Sequence, residues 1–110
     1  MRNLLFFICL LLCSLPGFTQ VKERKIVQFS GIIVNRDSNT VVPYVTITNL
    51  SGRDQFYSAN YKGYFSFVAH EGDTLAFTAV GYRREALIIP NGLADNKYTV
   101  LMKMQQESIN

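Results

Sequence analysis

The sequence predicts an all-β fold, a seven-stranded antiparallel Greek-key sandwich. Apolar and polar residues alternate in short runs, and turn-forming residues separate these runs roughly every eight to twelve residues. No stretch after the first 20 residues has the periodicity of an amphipathic helix. Because side chains alternate between the two faces of a strand, each run presents one apolar face that a second layer must cover. The apolar runs therefore predict two packed sheets.

The first residues have the pattern of a secretory signal peptide. One basic residue, Arg2, precedes the apolar run from Leu4 to Leu12, and small and helix-breaking residues follow up to Gln20. This run is too short to span a bilayer stably and has the length of a signal-peptide core. We expect cleavage after Thr19, which makes residues 1–19 the signal peptide and residues 20–25 a flexible leader. The mature protein is then exported, periplasmic or associated with the outer membrane, with no membrane-spanning segment.

Cysteine content and charge restrict the function further. Both cysteines, Cys9 and Cys13, lie in the predicted signal peptide. Lipidation of Cys13 is an alternative to simple cleavage, although a lipoprotein signal has a small residue where Leu12 stands. Without Cys13 the mature domain has no thiol for a disulfide, metal site or nucleophile. The 11 basic and 8 acidic residues are dispersed along the chain, which argues against nucleic acid as a partner.

Seven strands are expected in the sandwich, which spans residues 26–104 and is followed by a polar tail, residues 105–110. Their predicted ranges are Ile26–Val34, Tyr44–Asn49, Gln55–Ala59, Tyr64–Val68, Thr74–Thr78, Arg84–Ile89 and Tyr98–Met104.

Turn chemistry and alternation organise the middle of the chain. The fourth and fifth strands flank the polar loop His70-Glu71-Gly72-Asp73, a pattern typical of a hairpin with one face in the core. Asn60 and Gly63 bound the tight turn before this pair, since both tolerate a left-handed backbone. Gly31 inside the first strand indicates a bulge or a close backbone approach, and Pro43 belongs at a strand start or an edge.

Five short motifs follow one another along the predicted strands and turns. They are Gly31-Ile32-Ile33-Val34, Val42-Pro43-Tyr44-Val45-Thr46-Ile47, Gly63-Tyr64-Phe65-Ser66-Phe67, Gly72-Asp73-Thr74-Leu75-Ala76-Phe77 and Val80-Gly81-Tyr82. In this order they resemble the carboxypeptidase regulatory-like domain, which is frequent in secreted and outer-membrane proteins of Bacteroidetes. The resemblance covers roughly residues 26–104 and implies a prealbumin-type, immunoglobulin-like Greek-key sandwich without catalysis by the domain itself. Asn60 replaces the Asp of many relatives, so the resemblance does not extend to a cation bound through that carboxylate.

The candidate catalytic and metal-binding residues are few. His70, Glu71 and Asp73 share one loop and could hold a cation weakly, but a solvated turn in which Asp73 caps the backbone explains the same residues. The sequence contains no nucleophile elbow, zinc-protease motif or phosphate-binding glycine loop. We therefore expect no enzymatic activity, no catalytic residues, no metal and no cofactor.

Surface residues provide the remaining candidates. Tyr44, Tyr57, Tyr61 and Tyr64 are predicted outward or on turns, where aromatic rings suit protein contacts or sugar stacking, although cross-strand packing would also place them there. Thr74 follows Asp73 and precedes Leu75, a pattern that resembles the O-glycosylation sequence of Bacteroidetes.

These features favour a non-catalytic module that binds a protein or another cell-envelope component. A sandwich has edge strands whose unpaired amides can accept another strand, and Tyr98–Met104 is expected to be one of them. One alternative is carbohydrate binding through the four tyrosines. Another is that the chain is the truncated N-terminal domain of a larger receptor or peptidase-associated protein.

Overall fold

The structure, a computed structural model, describes residues 24–52 and 55–107. These residues form seven β-strands and contain no helix, which confirms the all-β class. The predicted signal peptide, with Cys9 and Cys13, lies outside the described residues, as do residues 20–23 and 108–110. The strands are β1 (Ile26–Asn35), β2 (Thr46–Asn49), β3 (Gln55–Ser58), β4 (Tyr64–His70), β5 (Thr74–Thr78), β6 (Glu85–Ile88) and β7 (Lys97–Met104).

The strands form a β-sandwich of two sheets. Sheet A has the order β4-β1-β7, and sheet B has the order β3-β2-β5-β6. The expectation of a purely antiparallel arrangement is wrong in one place, because β7 runs parallel to β1. The β6–β7 connection crosses from sheet B at the end where β1 begins, so β7 enters sheet A in the direction of β1. The other pairs are antiparallel.

The predicted hairpin of β4 and β5 is also wrong. β4 pairs with β1 in sheet A, whereas β5 pairs with β2 and β6 in sheet B. Residues 71–73 therefore cross between the layers instead of closing a ladder. The alternation of apolar residues was interpreted correctly, since Phe65, Phe67, Leu75 and Phe77 are all buried. Alternation specifies which side chains enter the core, but it does not specify which strand lies alongside.

The core lies between the sheets and is centred on Phe29 of β1. Its ring lies 5.1 Å from that of Phe65 and 5.5 Å from that of Phe67 in the same sheet, and 6.5 Å from that of Phe77 in sheet B. Burying each such ring contributes about 2–3 kcal/mol. Aliphatic side chains extend this cluster towards both ends, among them Val27, Ile33, Val45, Ile47, Leu75, Ile89 and Met104.

Gly31 and Gly63 allow close contacts between backbone segments. A Cβ at Gly31 would lie 2.3 Å from the Val100 carbonyl oxygen and 2.9 Å from Phe65 Cζ, which confirms the predicted close approach. Gly63 has φ +73°, and a Cβ there would lie 2.8 Å from the Ile33 carbonyl oxygen. β7 and the β3–β4 turn can therefore lie against β1 only with glycine at these positions.

Candidate functional site

β7 forms the open edge of sheet A. Two hydrogen bonds at the ends of the β1–β7 pair show which backbone groups of β7 face β1. The Gln28 N–H donates to the Asn96 carbonyl (2.7 Å), and the Arg36 N–H donates to the Met104 carbonyl (2.9 Å). In a parallel pair with this register, the even-numbered residues of β7 bond to β1. The odd-numbered residues direct their backbone groups away from the sheet, and no strand within 24–52 and 55–107 lies beyond them. Just past the end of β7, residues 81–83 cover this side of the chain, because the Arg83 N–H donates to the Gln105 carbonyl (2.9 Å) and the Glu107 N–H donates to the Gly81 carbonyl (2.8 Å).

The side chains of β7 also alternate: the even-numbered ones face the core and the odd-numbered ones face solvent. Met102 and Met104 are buried, and Tyr98 and Val100 pack against the core while remaining partly exposed. Lys97, Thr99, Leu101 and Lys103 point to solvent on the outer face, with Leu101 60% exposed. A strand added beside β7 would therefore meet free backbone groups and cover the exposed flanks of Tyr98 and Val100.

The opposite edge of sheet A, β4, is closed at both ends by side chains. Asn60 Oδ1 accepts hydrogen bonds from the Tyr64 N–H (3.0 Å) and the Lys62 N–H (2.9 Å). At the other end, Asp73 Oδ2 accepts from the His70 N–H (2.9 Å). Only the outward backbone groups of Ser66 and Val68 remain between these two contacts. β7 is thus the longer and the more accessible of the two edges.

The Asp73 carboxylate is buried and hydrogen-bonded within the protein. It is 1% exposed, and it accepts hydrogen bonds from Arg24 Nη1 (2.5 Å) and Asn49 Nδ2 (2.9 Å) in addition to the His70 N–H. The predicted capping role of Asp73 is therefore confirmed. Glu71 accepts from the backbone N–H groups of Gly92 and Leu93, both at 3.2 Å. His70 Nδ1 lies 3.8 Å from Asp73 Oδ2.

Asp73 and Glu71 therefore accept hydrogen bonds from backbone N–H groups of the protein, and His70 lies beside Asp73. Among the described residues, no group of three His, Cys, Asp or Glu side chains is arranged to hold a metal ion. Arg24 and Lys25, the last two residues assigned to the leader, are held by Asp73 and by the Leu93 carbonyl (2.7 Å from Lys25 Nζ).

The four predicted surface tyrosines do not form one face. Tyr57 points inward, with its ring stacked 4.0 Å from that of Phe67, so the expectation that it lies on the outer surface is wrong. Its neighbour Phe56 occupies the outward position and is 68% exposed. In β3, Gln55 shares a face with Tyr57 and Ser58 shares a face with Phe56, so each face has one polar and one aromatic residue and the alternation does not show which ring is exposed.

The other three tyrosines are exposed at one end of the sandwich. Tyr44 and Tyr61 lie on adjacent turns, because the Tyr44 N–H donates to the Asn60 carbonyl (3.2 Å), and they are 66% and 63% exposed. Tyr64 lies on the outer face of sheet A. Tyr44 has φ +56°, a left-handed conformation that costs a bulky residue about 1–3 kcal/mol.

The strained Tyr44 turn borders a shallow groove of about 330 Å³ at the end of sheet B. It is lined by Tyr44, Thr46, Thr78, Ala79 and Val80. Pro43 precedes Tyr44 in the turn and is exposed; because β2 begins only at Thr46, Pro43 does not lie at a strand start as predicted. The groove combines hydroxyl groups with one aromatic ring and an exposed aliphatic side chain, a composition that suits an uncharged ligand.

A larger groove, of about 790 Å³, lies at the same end between the β1–β2 turn and the residues that follow β7. Tyr82 packs beside it and accepts a hydrogen bond from Asn35 Nδ2 (3.2 Å), which supports the structural role implied for Tyr82. Gly81 has φ +84° and accepts the Glu107 N–H at its carbonyl (2.8 Å). Charges of both signs line the groove, contributed by Arg36, Asp37, Arg83, Glu85 and Glu107.

Thr74 starts β5 on the outer face of sheet B, opposite Ile88. Its side chain points outward as predicted, although the residue is half-buried. Its backbone N–H donates to Ser51 Oγ (2.8 Å). Gly72, which precedes the Asp73–Thr74 pair, has φ +82° in the crossing loop.

Neither the family models nor the curated proteins include a match to this chain. Within the part of the chain that the structure describes, no helix is long and apolar enough to cross a membrane.

Proposed function

We propose that the protein is an exported, non-catalytic β-sandwich module that binds a protein of the cell envelope by strand addition at β7. The observation that carries this proposal is the accessibility of the β7 edge, an eight-residue strand with its odd-numbered backbone groups turned outward. Edge strands of this length are usually shielded, as β4 is by Asn60 and Asp73. An added strand gains main-chain hydrogen bonds for affinity and side-chain contacts for specificity.

We also propose that the sandwich is of the prealbumin-type Greek-key class found in carboxypeptidase regulatory-like domains. Residues that carry the resemblance have defined structural roles: Gly31 admits β7, Asn60 and Gly63 form the turn before β4, and Asp73 anchors the crossing loop. The signal-peptide pattern supports a periplasmic or outer-membrane location.

The experiment that tests strand addition is photo-cross-linking in an exporting bacterium. A photoreactive amino acid is placed at Leu101 on β7 and, as the matched control, at the equally exposed Phe56 on sheet B. We expect a discrete adduct from position 101 only, and we expect Thr99→Pro to abolish it, because proline removes an outward N–H of β7 but no bond to β1. An adduct from position 56 alone, or one that persists with Thr99→Pro, would contradict the proposal.

A second candidate function, carbohydrate binding, is supported by the strained conformation of Tyr44. The backbone holds this ring outward beside Tyr61 and next to the hydroxyl-lined groove, and such strain persists where the surroundings impose it. We expect Tyr44→Ala and Tyr61→Ala to weaken retention on a glycan array. Tyr64→Ala, on the outer face of sheet A, is the control and should retain binding. Failure of the wild-type protein to bind any glycan would remove this candidate.

A further inference from the structure

We propose that the strand accepted by β7 carries acidic side chains at two positions six residues apart, opposite Lys97 and Lys103. This inference rests on the proposed function of the β7 edge and specifies the chemistry of its partner. Both lysines are exposed, both lie on the outer face of sheet A, and they occupy the two ends of β7. Residues directly opposite on neighbouring strands have Cβ atoms about 5 Å apart, within reach of a lysine–carboxylate pair.

On the outer face of sheet A, no strand residue beside these lysines is acidic. Acidic residues lie beyond the two ends of β7: Asp95 precedes Lys97 by two positions, and Asp37 Oδ2 accepts a hydrogen bond from Gln105 Nε2 (3.2 Å), two positions after Lys103. Lys97 lies beside Gln28, and Lys103 lies beside Val34. None of the outward residues of β1 and β4 is acidic: Ile26, Gln28, Ser30, Ile32, Val34, Tyr64, Ser66, Val68 and His70. Among the described residues neither lysine forms an ion pair. A partner strand beside β7 could therefore place acidic groups directly opposite both lysines.

The same lysines disfavour a second copy of this chain as the partner. If residues 97–103 of two β7 strands paired antiparallel through their outward backbone groups, Lys97 of each copy would lie opposite Lys103 of the other. Two like-charged pairs on one face destabilise such a pairing. The two lysines thus disfavour pairing with a second copy of the chain and favour pairing with an acidic strand. Repulsion of one partner together with attraction of the other provides specificity as well as affinity.

The residues between the two lysines indicate where the partner strand has apolar side chains. Leu101 is 60% exposed between Thr99 and Lys103, and it continues an apolar row across sheet A with Ile32 and Tyr64. On the inner face, Tyr98 and Val100 are only partly covered. A fitting strand therefore has apolar residues on its inner face, and an apolar residue between two acidic ones on its outer face.

Three synthetic peptides test this inference against the mature protein. They share one alternating, β-branched strand sequence and differ only at the two outer positions, which are both Glu, both Gln or both Lys. Binding is followed by amide chemical-shift changes at Thr99 and Leu101 at low and high salt. We expect the Glu peptide to bind about tenfold more tightly than the Gln peptide at low salt, with the Lys peptide weakest. Salt should reduce the difference.

The matched protein variant carries Lys97→Glu together with Lys103→Glu, two exposed substitutions that leave the core intact. We expect this variant to prefer the Lys peptide. If the three peptides bind equally at low salt, or if the variant keeps the preference for Glu, the inference is wrong while strand addition stands. If no peptide shifts Thr99 or Leu101, the proposed function of the edge fails as well. Self-association of the wild-type protein through β7 would also contradict the inference.

Discussion

Gly31 is the position at which β7 depends most directly on one residue. Its backbone lies so close to Val100 that an added methyl group would overlap the Val100 carbonyl oxygen at 2.3 Å. We predict that Gly31→Ala lowers the free energy of unfolding by about 2–3 kcal/mol, because β1 and β7 must separate. Urea denaturation measures the loss. Gly52→Ala is the matched control, since its nearest neighbouring atom is 3.8 Å away, and equal stability of the two variants would contradict this explanation.

Asp73 connects three segments that are distant in sequence. Its carboxylate receives Arg24, Asn49 and the His70 N–H, and it is almost completely buried. We predict that Asp73→Ala destabilises the protein by about 2–4 kcal/mol, because the Asn49 amide and the His70 N–H lose their acceptor. Arg24→Ala should cost much less, since the Arg24 side chain is 49% exposed and its charge is solvated. A thermal melt in which Arg24→Ala is the more damaging change would contradict this assignment.

Residues with a local role could be predicted from the sequence, whereas those with a distant partner could not. The turn role of Asn60 and the cap by Asp73 follow from local backbone chemistry. Gly31 indicated a close approach, but not that its partner is Val100 of β7. The contact between Arg24 and Asp73 joins residues 49 positions apart, and no local pattern indicates it. Tyr57 was assigned to the wrong face because two consecutive aromatic residues are compatible with either orientation.

β7 has two sets of backbone groups with opposite roles, and proline distinguishes them. The Val100 N–H bonds to β1, whereas the Leu101 N–H points outward. We predict that Val100→Pro lowers the free energy of unfolding by about 3 kcal/mol or more. Leu101→Pro should change it by no more than about 1 kcal/mol, since no ladder bond is lost. Thermal denaturation compares the two variants, and a reversed order would show that β7 has a different register.

The β4 edge depends on the Asn60 side chain. We predict that Asn60→Ala costs about 1–2 kcal/mol, because the N–H groups of Lys62 and Tyr64 lose their acceptor. Asn60→Asp retains an acceptor oxygen and should preserve stability. Chemical denaturation of both variants tests this. Equal loss in Asn60→Asp would mean that the side-chain amide group, rather than the oxygen, matters.

The positions of the strands were largely predictable, but their partners were not. Five of the seven predicted ranges differ from the observed ones by at most one residue at either end, whereas β2 starts at Thr46 rather than Tyr44 and β4 extends to His70 rather than Val68. Alternation and turn residues determine where a strand can exist. Pairing depends on how loops cross between layers, and the crossings at residues 71–73 and 89–96 contain no local signal for sheet membership. The parallel β1–β7 pair and the separation of β4 from β5 were therefore missed.

The molecule as a whole has a shielded edge and an accessible edge in the same sheet, and the proposed function depends on that asymmetry. Asn60 and Asp73 accept hydrogen bonds from the outward N–H groups at the two ends of β4. In β7, the outward backbone groups between Lys97 and Lys103 face solvent. The measurement that tests this arrangement most directly is amide hydrogen exchange, residue by residue, along β7 of the purified mature protein. We predict slow exchange at Val100, Met102 and Met104 and fast exchange at Thr99, Leu101 and Lys103. Protection of the odd-numbered amides, or uniform protection along β7, would contradict an open edge paired in parallel with β1.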